Sequence, residues 1–139
     1  MINPKDVIRM KIPYPNISDK LAVSAHMYIY KNVKDNVYEY VKCQTLKPKM
    51  LTSKILKQFV DEEADILRNP FQKATRIDCD KLFVTDSVQY DNGLKTVTRP
   101  DVCQELYDTV MKELDEDGNE EIKLNEDELI SLNSMIKKV

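Results

Sequence analysis

Val7-Ile8-Arg9-Met10-Lys11-Ile12-Pro13 and, after a polar break, Ala25-His26-Met27-Tyr28-Ile29-Tyr30-Lys31 decide how the chain reads. In the first stretch Ile8, Met10 and Ile12 alternate with Val7, Arg9 and Lys11, the two-residue period of a strand with one apolar and one partly charged face. Pro13 and Pro15 close it, since neither donates to a ladder, and Asn16, Ser18 and Asp19 make an exposed loop. The second stretch ends in the polar region Asn32 to Asn36 and leads into Val37 to Cys43, close enough to predict an antiparallel hairpin.

Beyond Thr45 the period lengthens. Ile55, Leu56, Phe59, Val60, Ala64, Ile66 and Leu67 recur at helical spacing, with Thr52 or Ser53 as cap and Pro70 as stop, which predicts one surface helix or two short ones. Thr75 to Val84 reads as a strand with a bulge or bend, because its alternation fails after Asp80. The turn Asp91-Asn92-Gly93 predicts a short strand over Leu94 to Thr98. Pro100 then opens a helix whose stripe is Val102, Leu106, Val110 and Leu114. Asn125 with Glu128 forms a capping box for a last helix that buries Leu129, Leu132, Met135 and Ile136. About five strands and three helices define a small α+β domain.

With 139 residues, 42% of them hydrophobic and 32% charged, the chain fits one globular domain. Its two glycines are too few for a GxGxxG or GxxxxGK loop, so dinucleotide and P-loop chemistry are excluded. A single histidine, His26, rules out the H-E-x-x-H zinc site, and there is no G-x-S-x-G elbow. Cys43, Cys79 and Cys103 are widely spaced and read as buried thiols in a reducing compartment. Neither an apolar run of membrane length nor a secretory signal is legible, so a soluble cytoplasmic protein with no membrane partner is expected.

The net charge of -3 hides an asymmetry: residues 1–112 carry 18 basic and 15 acidic side chains, residues 113–139 carry 3 and 9. The mildly basic body suits a phosphate-bearing partner. In the acidic tail, Asp115, Asp117, Asn119 and Glu126 fall at loop positions 1, 3, 5 and 12 of a calcium hand, the alternate oxygens that wrap a hard cation. Position 6, where such a loop turns sharply on glycine, is instead Glu120, so the segment reads first as an acidic link between helices. Calcium binding is thus one alternative function.

The segment from Asp6 to Lys20, with Ile12-Pro13-Tyr14-Pro15 at its centre, resembles the opening of MazF/PemK-type toxins. There a first strand ends in an aromatic-proline motif and a polar loop follows. Val41-Lys42-Cys43-Gln44-Thr45 is similar to the family's third strand with its terminal threonine, and Ile77-Asp78-Cys79-Asp80-Lys81-Leu82 to the stretch before its last strand and helix. The resemblance runs through residues 5–114. It implies a small SH3-like β-barrel with attached helices over residues 1–114, while residues 115–139 add an acidic connection and a C-terminal helix packed on the same domain.

The family's activity, as the resemblance implies it, is metal-independent cleavage of single-stranded RNA by the ribose 2′-hydroxyl, by a homodimer without cofactor that an antitoxin holds in check. Thr45 matches the family threonine, whereas the family's Arg-Pro pair is absent and Lys20 stands nearby as the cation. His26, the lone imidazole, completes the candidate catalytic set. Lys42, Lys47 and Lys49, with Lys54 and Lys57, are candidates to track phosphates. Tyr14 and Tyr30, among five tyrosines near the hairpin, are candidates to stack bases. The alternative class is an inactive barrel that binds protein or nucleic acid through the same surface.

Overall fold

The computed structural model describes residues 2–34, 37–51, 58–116 and 119–139. Its centre is an antiparallel set of three strands, β1 (Val7–Met10), β2 (His26–Lys34) and β3 (Val37–Thr45), registered through Val7 opposite Ile29 and Met27 opposite Cys43. A four-residue helix, α1 (Lys20–Val23), connects β1 to β2.

The far side of β3 is shared by two strands in sequence. Its C-terminal end pairs with β5 (Thr75–Asp78) and its N-terminal end with β6 (Lys81–Thr85), both antiparallel. From Cys43 opposite Ile77 to Tyr40 opposite Phe83, three steps along β3 answer six along the other chain. The bend foreseen after Asp80 is this three-residue slip. β4 (Phe59–Glu62) then pairs with β5 on its outer side, while β8 (Glu120–Lys123) pairs in parallel with β6. Among the described residues the architecture is a mostly antiparallel α+β sheet with three helices, and no pairing closes it into a barrel. Nine strands are described where about five were expected, because the short pieces β4, β7 (Val88–Tyr90), β8 and β9 (Ile136–Lys138) lack the length of a legible pattern.

Both faces of the sheet are covered, which is why Val7 and Ile8, neighbours pointing opposite ways, are each 0% exposed. On one face Val7, Ile29, Val41 and Ile77 meet the Leu106, Val110 and Leu114 stripe of α2 (Gln104–Glu116). On the other, Ile8, Met10, Tyr28, Tyr40 and Phe83 meet Leu129 of α3 (Glu126–Leu132) and Ile136 of β9 (Ile136–Lys138), whose partner is β7 (Val88–Tyr90). Cys43 and Cys79 are buried free thiols in the α2 layer, and burial pushes the Cys79 thiol up to about 12; Cys103 is half-buried. No helix among the described residues is long and apolar enough to cross a membrane.

Three local expectations are corrected. The helix read over Phe59 to Leu67 is instead strand β4 followed by a turn; Thr52, Ser53, Ile55 and Leu56 lie outside the described residues. Cross-strand chemistry overrides the helical spacing here. Arg76 of β5 grips the Asp61 carboxylate through Nε and Nη2 (2.8 and 2.9 Å) and lies 3.7 Å over the Phe59 ring, while Arg68 Nε donates to Glu62 at 2.8 Å. These partners are reached only if residues 59–62 extend beside β5.

Leu94 to Thr98 is not a regular strand. The Asp91 carboxylate accepts from Gly93 N at 2.7 Å and closes a single 3-10 turn, after which the chain follows the β1 edge through isolated bridges at Ile8–Lys95 and Asp6–Asp101. Thr96 N donates to Val7 O, whereas Val97 is 98% exposed, so no alternating face is buried.

The last helix stops at Leu132, leaving Met135 45% exposed and Ile136 in a strand. Its start is as read: Asn125 Oδ1 accepts from Glu128 N at 3.1 Å. Asn133 ends it by turning its buried amide onto the chain after β1, accepting from Lys11 N (2.9 Å) and donating to Lys11 O (2.7 Å) and Leu129 O (2.8 Å). Asn133→Ala leaves these half-buried groups short of partners and is expected to cost about 2–3 kcal/mol, read as a lower urea midpoint at unchanged m-value.

Candidate nucleic-acid interface

Antiparallel pairing brings the start of β2, the end of β3 and the end of β1 to one edge of the sheet, so His26, Thr45 and Arg9, far apart in sequence, line one hollow of about 320 Å³. Thr45 is exposed and held through its backbone opposite Thr75. Arg9 shares the side of β1 that Val7 buries but is exposed at the strand's end, where it lines the hollow, and its guanidinium has no ion pair among the described residues. Arg9 is the site residue that sequence reasoning missed. Its only local signal, a charge on the polar face of a strand, does not reveal that β1 lies beside β2.

The His26 ring is fixed as to tautomer. Its Nδ1 lies 2.9 Å from Ser24 O, and since a carbonyl only accepts, Nδ1 carries the proton and Nε2 keeps its lone pair. Burial pulls the ring below its ordinary value of 6.5, and Lys42, Lys20 and Arg9 add to that, against the opposing Ser24 carbonyl. At neutral pH the imidazole is uncharged and basic at Nε2.

Lys20 does not join this hollow. It lines the adjoining one, of about 590 Å³, together with Tyr14, Asp19, Lys42, Asp78 and Phe83, and Gln44 lies between the two. The ammonium of Lys20 is lowered first by Lys47, then by partial burial, Lys49 and Lys42, which makes this edge a cluster of like charges. Lys42 is tied down, its Nζ 2.9 Å from the buried Asp78 carboxylate, which also accepts from Gln44 Nε2 at 2.9 and 3.0 Å. Lys54 and Lys57 lie outside the described residues.

Of the two aromatic candidates, Tyr14 lines the larger hollow with its ring edge-on to Phe83, centroids 5.3 Å apart. Tyr30 is elsewhere: it is 6% exposed and packs against Tyr38 and Tyr40, so it offers no face to a base. It falls on the inward parity of β2, which its aromatic character alone did not indicate.

Of the calcium-hand candidates, Asn119 and Glu126 have partners within the fold. Asp115 lies at the end of α2, Asp117 is outside the described residues, and Asn119 donates its amide to Leu114 O at 3.1 Å. Glu126 accepts from Asp86 N and Ser87 N at 2.7 and 3.1 Å, and residues 120–123 run straight as β8. Among the described residues no group of three or more acidic, histidine or cysteine side chains is placed to hold a metal.

Compared with known proteins, the chain matches no family model, no curated protein and no solved structure.

Proposed function

We propose that this edge of the sheet binds single-stranded RNA and that the His26 hollow cleaves it without metal, in the manner of a divergent MazF/PemK-type toxin whose barrel is opened into a bent sheet. The observation that carries this reading is the meeting of an uncharged imidazole, a guanidinium with no ion pair among the described residues and a threonine hydroxyl in one hollow beside a lysine cluster. His26 Nε2 takes the proton of a ribose 2′-hydroxyl as its oxygen attacks the adjacent phosphorus. Arg9 stabilises the charge that develops on the non-bridging oxygens, with Thr45 donating a further hydrogen bond. The bond to the 5′-oxygen breaks, that oxygen takes a proton from water in the open hollow, and a 2′,3′-cyclic phosphate and a 5′-hydroxyl remain. Lys20, Lys47 and Lys49 hold the flanking phosphates. In this reading the protein pairs with itself and an acidic antitoxin segment covers the lysine edge.

Incubation with a long RNA in EDTA tests the proposal. Cuts bearing cyclic-phosphate ends are expected, slowed in Thr45→Ala. Binding of a uridine 12-mer should weaken steeply with salt, and each lysine of the rim changed to alanine should lower the log–log slope by about 0.7. Intact RNA that still binds with this slope would replace the nuclease by a binding module, a reading that the place of Lys20 in the other hollow favours.

A further inference from the structure

The larger hollow takes no part in the cleavage chemistry, yet it has the size of a small-molecule site, roughly 300–1,000 Å³. Tyr14 gives it an aromatic wall, backed by the buried Phe83 ring, and Leu21 closes one side. Its polar rim carries three carboxylates, Asp19, Asp78 and Asp80, and three ammonium groups, Lys20, Lys42 and Lys81.

Internal pairing satisfies two of each. Asp78 takes Lys42 and Gln44, and Asp80 takes Lys81 at 2.8 Å. Asp19 and Lys20 remain, neither with an oppositely charged partner among the described residues. Asp19 precedes α1 without a side-chain cap bond, so its carboxylate serves no local structure. An open anion and an open cation therefore stand on consecutive residues beside an aromatic ring.

A matching ligand has a flat π-face, two adjacent N–H donors for the carboxylate and a phosphate for the ammonium. Of the four RNA bases, guanine alone has such an edge, N1–H beside N2–H. Adenine and cytosine set a donor beside an acceptor, and uracil flanks its one N–H with two carbonyls that a carboxylate repels.

We propose that this hollow is a pocket for a guanosine 5′-phosphate unit, with Asp19 accepting from N1–H and N2–H, the Tyr14 ring against the base, and Lys20 on the phosphate. The inference rests on the RNA reading for the strand as its source; a free nucleotide offers the same chemistry. Seated there, one unstacked guanosine fixes which phosphate of the strand reaches the adjoining His26 hollow.

Calorimetry on the full chain with the four nucleoside monophosphates tests it. GMP is expected to bind at least about tenfold more tightly than AMP, CMP or UMP, a preference that Asp19→Asn removes. Lys20→Ala should weaken GMP and leave guanosine unchanged. Circular dichroism checks that both variants fold. Equal affinity for all four nucleotides, or a GMP preference that survives Asp19→Asn, overturns the pocket. A uridine 12-mer carrying one central guanosine should bind more tightly than the plain 12-mer; if it does not while GMP is still preferred, the strand is refuted as the source. Uridine 12-mer binding without GMP preference defeats this inference and spares the RNA reading, whereas GMP preference with no RNA binding does the reverse.

Discussion

Replacing His26 with alanine is expected to lower the rate of RNA cleavage by roughly 10²- to 10⁴-fold, the range for loss of a general base. The fold should survive, because the ring's hydrogen bond is to the Ser24 carbonyl in the adjacent turn. The pH dependence distinguishes a base from a group that merely fills space. Its base form is the neutral ring, and the folded protein holds the ring below 6.5, so the rate should be flat at neutral pH and fall on the acid side, below 6.5. Raising salt screens Lys42, Lys20 and Arg9 and should move the inflection upward. The same shift makes His26 contribute to stability with the same sign: protonation favours the unfolded chain, so stability falls as pH drops through the window below 6.5. A rate in His26→Ala within a few-fold of the unsubstituted protein would remove the imidazole from the mechanism.

A chain ending at Leu114 is expected not to fold. Residues 115–139 supply Leu124, Leu129 and Ile136 to the core, exposed by 4%, 0% and 1%, and the strand that pairs with β6. At about 1.5–3 kcal/mol for each buried aliphatic side chain, their loss amounts to most of the roughly 5–15 kcal/mol that holds a domain together. It would also expose Tyr40 and Phe83, against which these residues pack. A flat denaturation curve and loss of near-ultraviolet dichroism are the expected readings. A cooperative transition in the shortened chain would show the tail to be an appendage. The acidic tail is thus part of one core layer despite its charge, with Glu120, Glu121 and Asp127 exposed at the outer surface.

What the sequence makes legible follows from the range of the interactions. Alternation within β1, β2 and β3 is local and sufficient, because burial on a sheet face has a period of two residues. The stripe of α2 is equally local, Leu106, Val110 and Leu114 all being buried, although the helix opens at Gln104 rather than at Pro100 and leaves Val102 before it. By contrast, β4 is a strand only because Arg76 and Arg68, contributed by later segments, reach Asp61 and Glu62. At the candidate site, the hairpin register alone brings His26 near Thr45, since His26 adjoins Met27 and Thr45 lies two residues beyond its partner Cys43. Arg9 requires knowing that β1 lies on the outer side of β2, and the separation of Lys20 into its own hollow depends on α1, four residues that carry no periodic signal. Tyr30 and Tyr14 are chemically alike, and only strand parity and the loop path separate a core ring from an accessible one.

The slip between β5 and β6 resets the phase of side-chain alternation. Ile77, Cys79 and Leu82 all enter the α2 layer, so Asp78, Asp80, Lys81 and Phe83 are all left to the opposite side, where they line the guanosine hollow. An unbroken strand of the same length would deliver one residue fewer to that wall. Because the extra residues are absorbed between Cys43 and Tyr40, the two ends of β3 keep separate partners, and a change at Asp80 or Lys81 does not propagate as a register error into either. The binding wall can therefore drift in sequence, and with it the choice of ligand, while the tyrosine-lined core beneath it stays the same.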